Sequence, residues 1–323
     1  MQGEPIATAK QRLTRMAHDA HVDLIAVVVA VTDQGPGVLT VGQLQNALPS
    51  GPFELGHRSL QFGLRAWVEQ QTGHQLGYIE QLYTFADRDR IGEQRQQRVI
   101  SISYLALTRA DHAAGEARRS WRGWYDYFPW EDHRFGIPAV VGDILRPRLL
   151  AWAEEAAHDP VRRERRQRAT IAFGFDGHDW NEELVLQRYE LLYEAALVEE
   201  AMRGSRQSAS PSIPGISMAA DHRRILATGI ARLRSKIKYR PVVFELMPPV
   251  FTFLQLQRTV EALSGRLLHK PNFRRLIEQQ ELVEETGETT ADTIGRPAKL
   301  FRFRHAVLDE RAVSGTKLPL SRA

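Results

Sequence analysis

The longest apolar run in this 323-residue sequence, LIAVVVAV at positions 24–31, constrains the fold more than any other feature. Its eight residues are typical of a strand buried within a sheet. A helix that crosses a bilayer needs about 18 or more apolar residues in succession, so the sequence predicts no membrane span. The N-terminus lacks a basic segment followed by an apolar core and a cleavage site, so we expect no secretion signal.

The chain contains no cysteine. This excludes disulfide scaffolds, thiolate zinc sites and cysteine nucleophiles, and it fits the reducing cytoplasm, where we expect the protein to reside. Apolar residues make up 43% and charged residues 25% of the sequence, the balance of a globular protein with a sizeable core. The length is sufficient for two domains of ordinary size.

Local patterns divide the chain after its first 20 residues. Positions 21–108 predict a strand (HVDLIAVVVAVT), a helix (SLQFGLRAWVEQQTG) and a further strand (RVISISYLALT). Positions 109–203 begin with an aromatic tract. They then predict a helix (ILRPRLLAWAEEAA), an exposed arginine-rich loop (VRRERRQR), a strand (ATIAFGF) and a long helix (NEELVLQRYELLYEAALVEEAM). Positions 204–217 are rich in Ser, Pro and Gly and predict a linker.

Charge is distributed unevenly along the chain. Positions 222–323 contain 19 Lys and Arg against 10 Asp and Glu, a net charge of +9, whereas positions 1–221 contain 24 against 29, a net charge of −5. A basic end joined to an acidic remainder favours a polyanionic partner for the C-terminal part. A basic face that is only solvated is the alternative.

The basic part has the element order of a winged helix-turn-helix, which is three short helices followed by a β-hairpin. The helices are predicted from DHRRILATGIARLRSKIKY, TFLQLQRTVEALSG and NFRRLIEQQELV, and the hairpin from VEETGETTADTIGRPAKLFRFR. Thr252 can cap the second helix, and Gly265 stands where that helix must stop. Asn272 is a good cap for the third helix.

In a winged helix the third helix enters the major groove and the hairpin contacts the backbone or the minor groove. Helical spacing turns Phe273, Leu276 and Ile277 towards the core and leaves the polar residues between them for solvent or a groove. Arginine offers two donors to guanine, asparagine suits adenine, and basic wing residues suit phosphates. The predicted DNA-binding residues are Lys270, Asn272, Arg274, Arg275, Arg296 and Lys299. A basic helical hairpin that mediates dimerisation is the alternative.

Two parts of the sequence resemble a known family. Positions 48–73, LPSGPFELGHRSLQFGLRAWVEQQTG, resemble the Nudix box of pyrophosphohydrolases, G-x5-E-x7-R-E-U-x-E-E-x-G-U. The C-terminal ILATGIARLRSKIKYRPVVFELMPPVFTFLQLQ, NFRRLIE and GRPAKLFRF are similar to the winged-helix half of Nudix-related transcriptional regulators of NAD metabolism, a group that includes NrtR and NadQ. The long segment 109–203 favours the NadQ type. The resemblance implies an α/β fold, with a Nudix-like α/β/α sandwich at 1–217 and a winged helix-turn-helix domain at 218–323.

A Nudix hydrolase needs several glutamates on one helix face to hold magnesium ions against a diphosphate. Counted without a gap from Gly51, Ala66 and Gln70 replace carboxylates. With one extra loop residue, Gln70 and Gln71 replace the metal-binding pair. Glutamine brings a carbonyl but no charge, so we expect no metal site, no catalytic residues and no hydrolysis. Relocated carboxylates are the alternative, on the acidic helix that carries Glu182, Glu183, Glu190, Glu194, Glu199 and Glu200.

A sandwich that has lost its metal ligands can still bind a ligand. The resemblance implies a ligand of the NAD family, namely NAD, ADP-ribose or an adenine nucleotide such as ATP. Such a ligand needs an aromatic or apolar slot for adenine and cations for the diphosphate. The candidate effector-binding residues are Arg98, Tyr127, Phe128, Trp130 and Arg134. The alternative is that the aromatic residues pack the core of the enlarged domain.

The resemblance implies a homodimeric, ligand-responsive repressor of NAD biosynthesis or salvage genes that binds a palindromic double-stranded DNA operator and requires no cofactor. The ligand must bind one dimer geometry better than the other. Movement of the helix ILATGIARLRSKIKY, which joins the two halves, would change the spacing of the recognition helices. One alternative is a pyrophosphohydrolase that acts on NAD or ADP-ribose with displaced metal ligands. Another is an RNA-binding or scaffold protein with a winged helix.

Overall fold

The computed structural model describes residues 21–42, 46–86, 99–110, 121–203, 213–290 and 297–306. The strands span His21–Thr32 (β1), Gly35–Leu39 (β2), Ser50–Pro52 (β3), Tyr78–Phe85 (β4), Val99–Leu107 (β5), Trp121–Gly123 (β6), Val283–Thr289 (β7) and Lys299–Phe303 (β8). The first six form one mixed sheet in the order β4-β5-β1-β2-β6, with β3 paired to β1. β1 runs parallel to β5 and antiparallel to β2 and β3.

Helices cover both faces of this sheet. They span Leu60–Thr72 (α1), Trp124–Tyr127 (α2), Arg146–Glu154 (α3), Asp159–Phe173 (α4), Val185–Glu194 (α5), Glu199–Met202 (α6), His222–Lys236 (α7), Phe253–Ser264 (α8) and Lys270–Gln279 (α9). A π-helical turn at Val141–Leu145 leads into α3, and a 3-10 helix at Val242–Leu246 follows α7. Within the described ranges, no helix is long and apolar enough to cross a membrane.

The apolar run predicted from the sequence forms most of β1, and both of its faces are buried. Leu24 and Val28 belong to a small core on one face, whereas Val27 and Val29 belong to the large core on the other. Successive side chains of a strand point to opposite faces, so an unbroken apolar run needs cover on both sides. The strand prediction is confirmed, and the reason for its composition is this two-sided burial.

Helix α1 covers the small core. It begins after Ser59, whose side chain accepts a hydrogen bond from the Phe62 amide, and it ends at Gly73, whose φ of 71° is a left-handed conformation. Leu64 and Val68 face the sheet and are fully buried. The helix predicted from SLQFGLRAWVEQQTG is therefore confirmed.

Helix α7 covers the opposite face of the sheet. A Cβ on Gly229 would lie 2.8 Å from a methyl carbon of Val27, so the glycine allows the helix to approach β1 closely. The sheet between α1 and α7 forms an α/β/α sandwich. The predicted division of the chain between 217 and 218 falls before α7, although α7 packs on the sheet.

The segment 121–203 differs from its prediction at α4. The arginine-rich stretch, expected as a loop, and ATIAFGF, expected as a strand, lie largely in this one helix. Both expectations were wrong. A short apolar run does not distinguish a strand from a helix, and Ala169, Ala172 and Phe173 are buried at helical spacing. Gly174, with a φ of 70°, ends the helix.

Positions 204–212 of the predicted linker lie outside the described residues. Of the remainder, Ile213 is buried in the large core, and its amide donates to the Leu197 carbonyl. The end of the predicted linker is therefore packed against the sandwich.

The C-terminal part forms a winged helix. Helices α8 and α9 make the helix-turn-helix, and β7 and β8 pair in antiparallel fashion as the wing. The sequence predicted α7 as the first of the three helices of the winged helix. The 3-10 helix occupies that position instead, because α7 packs on the sheet. Phe244 of the 3-10 helix stacks on Phe303 of the wing, with ring centroids 4.4 Å apart.

The start of α7 predicts a pH dependence of stability. Burial lowers the pKa of His222 from 6.5 to about 4, and its Nδ1 accepts a hydrogen bond of 2.9 Å from the Leu48 amide. Between these pH values the unfolded chain binds the proton and the folded chain does not, so stability rises with pH. We expect the free energy of unfolding to fall as the pH drops from 6.5 to 4.

The measurement is urea unfolding across this pH range. His222→Gln keeps an acceptor for the Leu48 amide but cannot titrate, so it should reduce the dependence and leave the share of His133, whose pKa burial also lowers to about 4. Replacing the exposed His158 by glutamine is the matched control. An unchanged pH dependence in His222→Gln would assign the effect to other groups.

Candidate functional site

The turn between α8 and α9 fixes the position of the predicted recognition helix. Thr252 and Gln255 form a reciprocal capping box at the start of α8, as the Thr252 cap predicted, and Gly265, with a φ of 73°, ends the helix where expected. Inside the turn, a carboxylate oxygen of Glu261 accepts a hydrogen bond of 2.9 Å from the Leu268 amide. This bond holds the chain as it enters α9.

Helix α9 begins at Lys270, two residues before the predicted cap Asn272. His269 occupies the cap position with extended backbone, and Pro271 stands in the first turn, where a missing amide hydrogen is tolerated. Ile277 is buried as predicted, but Leu276 is 51% exposed, so its assignment to the core was wrong.

The predicted DNA-binding residues of α9 are all exposed: Lys270, Asn272, Arg274 and Arg275. Arg274 pairs with Glu278 at 2.8 Å and lies over the Phe253 ring. At about 100° per residue, Lys270 and Arg274 share one face of α9, and Arg275 points about 100° further round the helix than Arg274. Asn272 borders a cavity beside the helix instead.

Of the two predicted DNA contacts in the wing, Lys299 can be located in the structure. Lys299 is exposed on β8 and pairs with Glu285 of β7 at 2.8 Å. Arg296 lies outside the described residues. Because both members of the Lys299 pair are more than half exposed, water competes with the pair and leaves the lysine available to an anion.

The predicted aromatic effector residues lie in the core of the protein. Tyr127, Phe128 and Trp130 have no exposed surface, and Phe128 and Trp130 meet edge to face. A ligand cannot stack on a ring that the protein already covers on both sides, so their assignment to the ligand is corrected. Arg98 lies outside the described residues. Arg134 is half-buried and makes a two-bond contact of 2.8 Å with Asp132.

The side chains of the Nudix-like helix are engaged in packing and backbone contacts. The indole of Trp67 lies so close to Gly51 that a Cβ there would collide with it, and its nitrogen donates to the Pro52 carbonyl at 2.9 Å. The side chain of Gln71 accepts a hydrogen bond from the backbone N–H of Ser50 and donates one to the Ser50 carbonyl. Ala66 and Gln70 are exposed. Helix α1 therefore contacts β3 through uncharged side chains.

The glutamates considered as relocated ligands all take part in ion pairs. The pairs are Glu182 with Lys238 and Arg266, Glu183 with Lys238, Glu190 with Arg224, Glu194 with Arg168, Glu199 with Arg203, and Glu200 with Arg223. Among the described residues, no three His, Asp or Glu side chains come together as a metal site would require.

A buried charge cluster joins the sandwich, the segment 121–203 and the winged helix. Glu131 accepts from Arg188 at 2.5 and 2.8 Å and from Arg234 at 2.6 Å, and all three residues are at most 1% exposed. Arg234, in α7, also donates to the Leu263 carbonyl at the end of α8 at 2.9 Å. The cluster thus ties α7 to the helix-turn-helix.

The electrostatics of this cluster favour the charged form of Glu131. Burial alone would raise the pKa of Glu131, but the guanidinium groups of Arg188 and Arg234 hold it below its ordinary value. Next to them, His133 stacks on Trp180 with centroids 4.0 Å apart, and burial lowers its pKa to about 4. Sequence reasoning missed this cluster, because its members are 57 and 103 residues apart and no spacing pattern links them.

Comparison with known proteins agrees with this geometry. Residues 243–303 match the family described as the NrtR DNA-binding winged helix domain. The protein is also similar to an ADPR responsive transcriptional repressor, NtrR, of Acinetobacter baylyi, with 39% identity over 88 residues. These residues are 27% of this chain and 35% of the relative, so the match spans about a third of that relative's length.

Two solved structures resemble the whole fold. The crystal structure of Shewanella oneidensis NrtR has a TM-score of 0.51 and 18% identity, and covers 88% of this chain and 94% of its own. The structure of the same NrtR complexed with a 27mer DNA has a TM-score of 0.50 and 19% identity, and covers 89% and 95%. The predicted fold class is confirmed: the chain has an NrtR-like α/β fold, with a Nudix-like sandwich followed by a winged helix. The predicted resemblance to NrtR is likewise confirmed.

Proposed function

We propose that this protein is a ligand-responsive transcriptional repressor that binds double-stranded DNA through its winged helix. The exposed cations of α9 carry the proposal: Lys270 and Arg274 lie on one face of the helix, and Arg275 lies on the adjoining face. Cations on the outer face of a helix that follows a helix-turn are suited to phosphates and guanine edges. The relative named as an ADPR responsive transcriptional repressor and the NrtR structure with DNA support the same function.

The proposed effector is ADP-ribose. Of the three predicted ligands, NAD, ADP-ribose and ATP, it is the one to which the A. baylyi relative is said to respond. Arg98 and Arg134 stay as proposed contacts to its diphosphate, and no cofactor is required. Genes of NAD biosynthesis or salvage are the proposed targets. We place the protein in the cytoplasm, as a homodimer on a palindromic operator.

The sandwich is proposed to sense the ligand without hydrolysing it. Gln71, at a position where the box requires a carboxylate, is hydrogen-bonded to Ser50, and Ala66 has no donor atom. A magnesium ion needs charged oxygen ligands in octahedral geometry, which these side chains do not offer.

Ligand binding is proposed to act through α7. This helix packs on β1 through Gly229 and reaches the end of α8 through Arg234. A shift of α7 on the sheet would therefore carry the winged helix with it. In a dimer, such a shift changes the separation of the two α9 helices, and hence the fit to half-sites a helical turn or a multiple apart. A ligand shifts this equilibrium only by its difference in affinity for the two geometries.

Three binding measurements test this function against its alternatives. Fluorescence anisotropy should give tighter binding to duplex DNA than to single-stranded DNA or RNA. Calorimetry should detect binding of ADP-ribose, and incubation of NAD or ADP-ribose with magnesium should release no nucleoside monophosphate. A preference for single strands would favour the RNA-binding alternative, and magnesium-dependent release that is lost in Gln70 or Gln71 variants would favour the pyrophosphohydrolase.

A separate prediction concerns Lys299 in the wing and the salt dependence of DNA binding. Lys299→Ala should weaken binding to all duplex sequences to a similar degree and reduce the slope of log K against log salt by about 1, since one phosphate contact is lost. Glu285→Gln is the opposite variant: it frees Lys299 from its ion pair and should strengthen binding. If both variants keep the wild-type slope, Lys299 does not contact phosphate.

A further inference from the structure

A cavity of about 510 Å³ lies where the end of α7 meets the winged helix. Its walls come from residues 237–241, the 3-10 helix, α8, the turn after α8, and α9. It lies apart from the Nudix-like helix, none of whose residues line it. Its volume is within the range of about 300–1,000 Å³ found for small-molecule sites.

The lining of the cavity is mostly apolar. Val243, Phe244, Leu256, Val260 and Phe273 form its walls. At its mouth, Leu267 is 62% and Leu276 is 51% exposed. Clustered apolar side chains in contact with water mark a surface that gains stability when it is covered.

The cations around the mouth differ in their partners. Lys238 pairs with Glu182 and Glu183, and Arg266 pairs with Glu182. Arg240 is exposed and lines both this cavity and a neighbouring one beside Tyr78 and Glu80, and among the described residues its guanidinium makes no ion pair or side-chain hydrogen bond. The cavity therefore combines an apolar interior with one cation at its edge, Arg240, that forms no ion pair among the described residues.

This combination selects the class of ligand. An apolar body gains free energy by leaving water for the cavity, and a single carboxylate can form a two-bond contact with a guanidinium. A nucleoside diphosphate does not suit the site, because its charged groups would meet apolar walls. The enclosing walls and the single charge also favour a small molecule over the side chain of a second copy.

We propose that this cavity binds a small apolar carboxylate, such as a medium-chain fatty acid or an aromatic acid, with its charge on Arg240. The site is additional to the proposed ADP-ribose site and does not depend on it. Because residues of α7, α8 and α9 all line it, its occupant contacts both the sandwich and the recognition helix.

The test uses the full chain and the fluorescent apolar anion 8-anilinonaphthalene-1-sulfonate. Decanoate should displace the probe from one site per chain, and uncharged decanol should need about three to five times the concentration, since it forms no ion pair with the exposed Arg240. Arg240→Gln should weaken decanoate binding about three- to fivefold and leave decanol binding unchanged. Arg232→Gln removes an exposed cation of α7 that does not line the cavity, and this variant should bind both compounds as wild type does.

Val260→Phe fills the cavity and provides an independent check. It should abolish saturable probe binding while circular dichroism stays unchanged; if it disturbs the fold, Arg240→Gln alone decides. Equal potency of decanoate and decanol, or wild-type displacement in Arg240→Gln, would overturn the proposal. Probe binding that appears only when dilution separates the chains would also overturn it, because a second copy would then cover the cavity.

Discussion

Replacing Glu131 by glutamine is expected to lower the free energy of unfolding by about 3–5 kcal/mol. The carboxylate neutralises two fully buried arginines, Arg188 and Arg234, and receives three hydrogen bonds from them. A glutamine of the same size keeps one acceptor oxygen but leaves two positive charges in the interior with no counter-charge. Removing one partner of a buried ion pair is destabilising because the remaining charge stays desolvated.

The measurement is equilibrium unfolding in urea at neutral pH, followed by tryptophan fluorescence. Glu154→Gln is the matched control, since Glu154 pairs with Arg166 on the surface and both are about half exposed. Exposed pairs contribute at most about 1 kcal/mol, so this variant should unfold nearly as the wild type does. A loss of less than 1 kcal/mol in Glu131→Gln would mean that water or another acidic group compensates the two arginines.

The double replacement of Arg274 and Arg275 by alanine is expected to weaken operator binding by at least tenfold, at about 1–3 kcal/mol for each lost two-bond contact. Both side chains are exposed on α9, and neither contributes to the core, so the unfolding curve should not change. Arg274 also pairs with Glu278, but an exposed pair of this kind adds only a few tenths of a kcal/mol.

Arg275→Lys separates the two kinds of contact that Arg275 can make. Lysine keeps the charge but loses the forked geometry that reads guanine. A phosphate contact would survive this change with the same salt slope, whereas a base contact would lose sequence preference. Wild-type affinity in the double alanine variant would show that α9 is not the recognition helix, and the dimerisation alternative for this helical hairpin would then be preferred.

Local patterns were sufficient for much of the fold. The apolar run of β1, the caps of α8 at Thr252 and Gly265, and the wing strands each depend on residues close in sequence, and each was predicted. Backbone hydrogen bonds and side-chain periodicity are local properties, so a single sequence records them.

The errors arose where distant packing decides the structure. ATIAFGF is a short apolar run that suits a strand or a helix, and Ala169 and Phe173 are buried on one face of α4. Leu276 has the spacing of a core residue, but the winged helix leaves it uncovered at the cavity. The role of α7 depends on the contact of Gly229 with Val27, two positions about 200 residues apart.

The candidate site was likewise predicted in part, where local patterns determine it. The exposure of the basic residues of α9 follows from helical periodicity and was predicted. The aromatic residues Tyr127, Phe128 and Trp130 were assigned to a ligand because their chemistry suits adenine, but the same apolar surface also suits a core. Their complete burial decides for the core. No pattern in the sequence indicated that Glu131 would join two arginines from separate helices.

Selection of fragmented genomic DNA by the purified protein, at physiological salt and with or without millimolar ADP-ribose, tests the central claim most directly. We expect enrichment of a few palindromic sites beside genes of NAD metabolism and a change in that enrichment when ADP-ribose is present. Enrichment that NAD or ATP alters but ADP-ribose does not would keep the repressor and replace its effector. An absence of enrichment under every condition would contradict the proposed function.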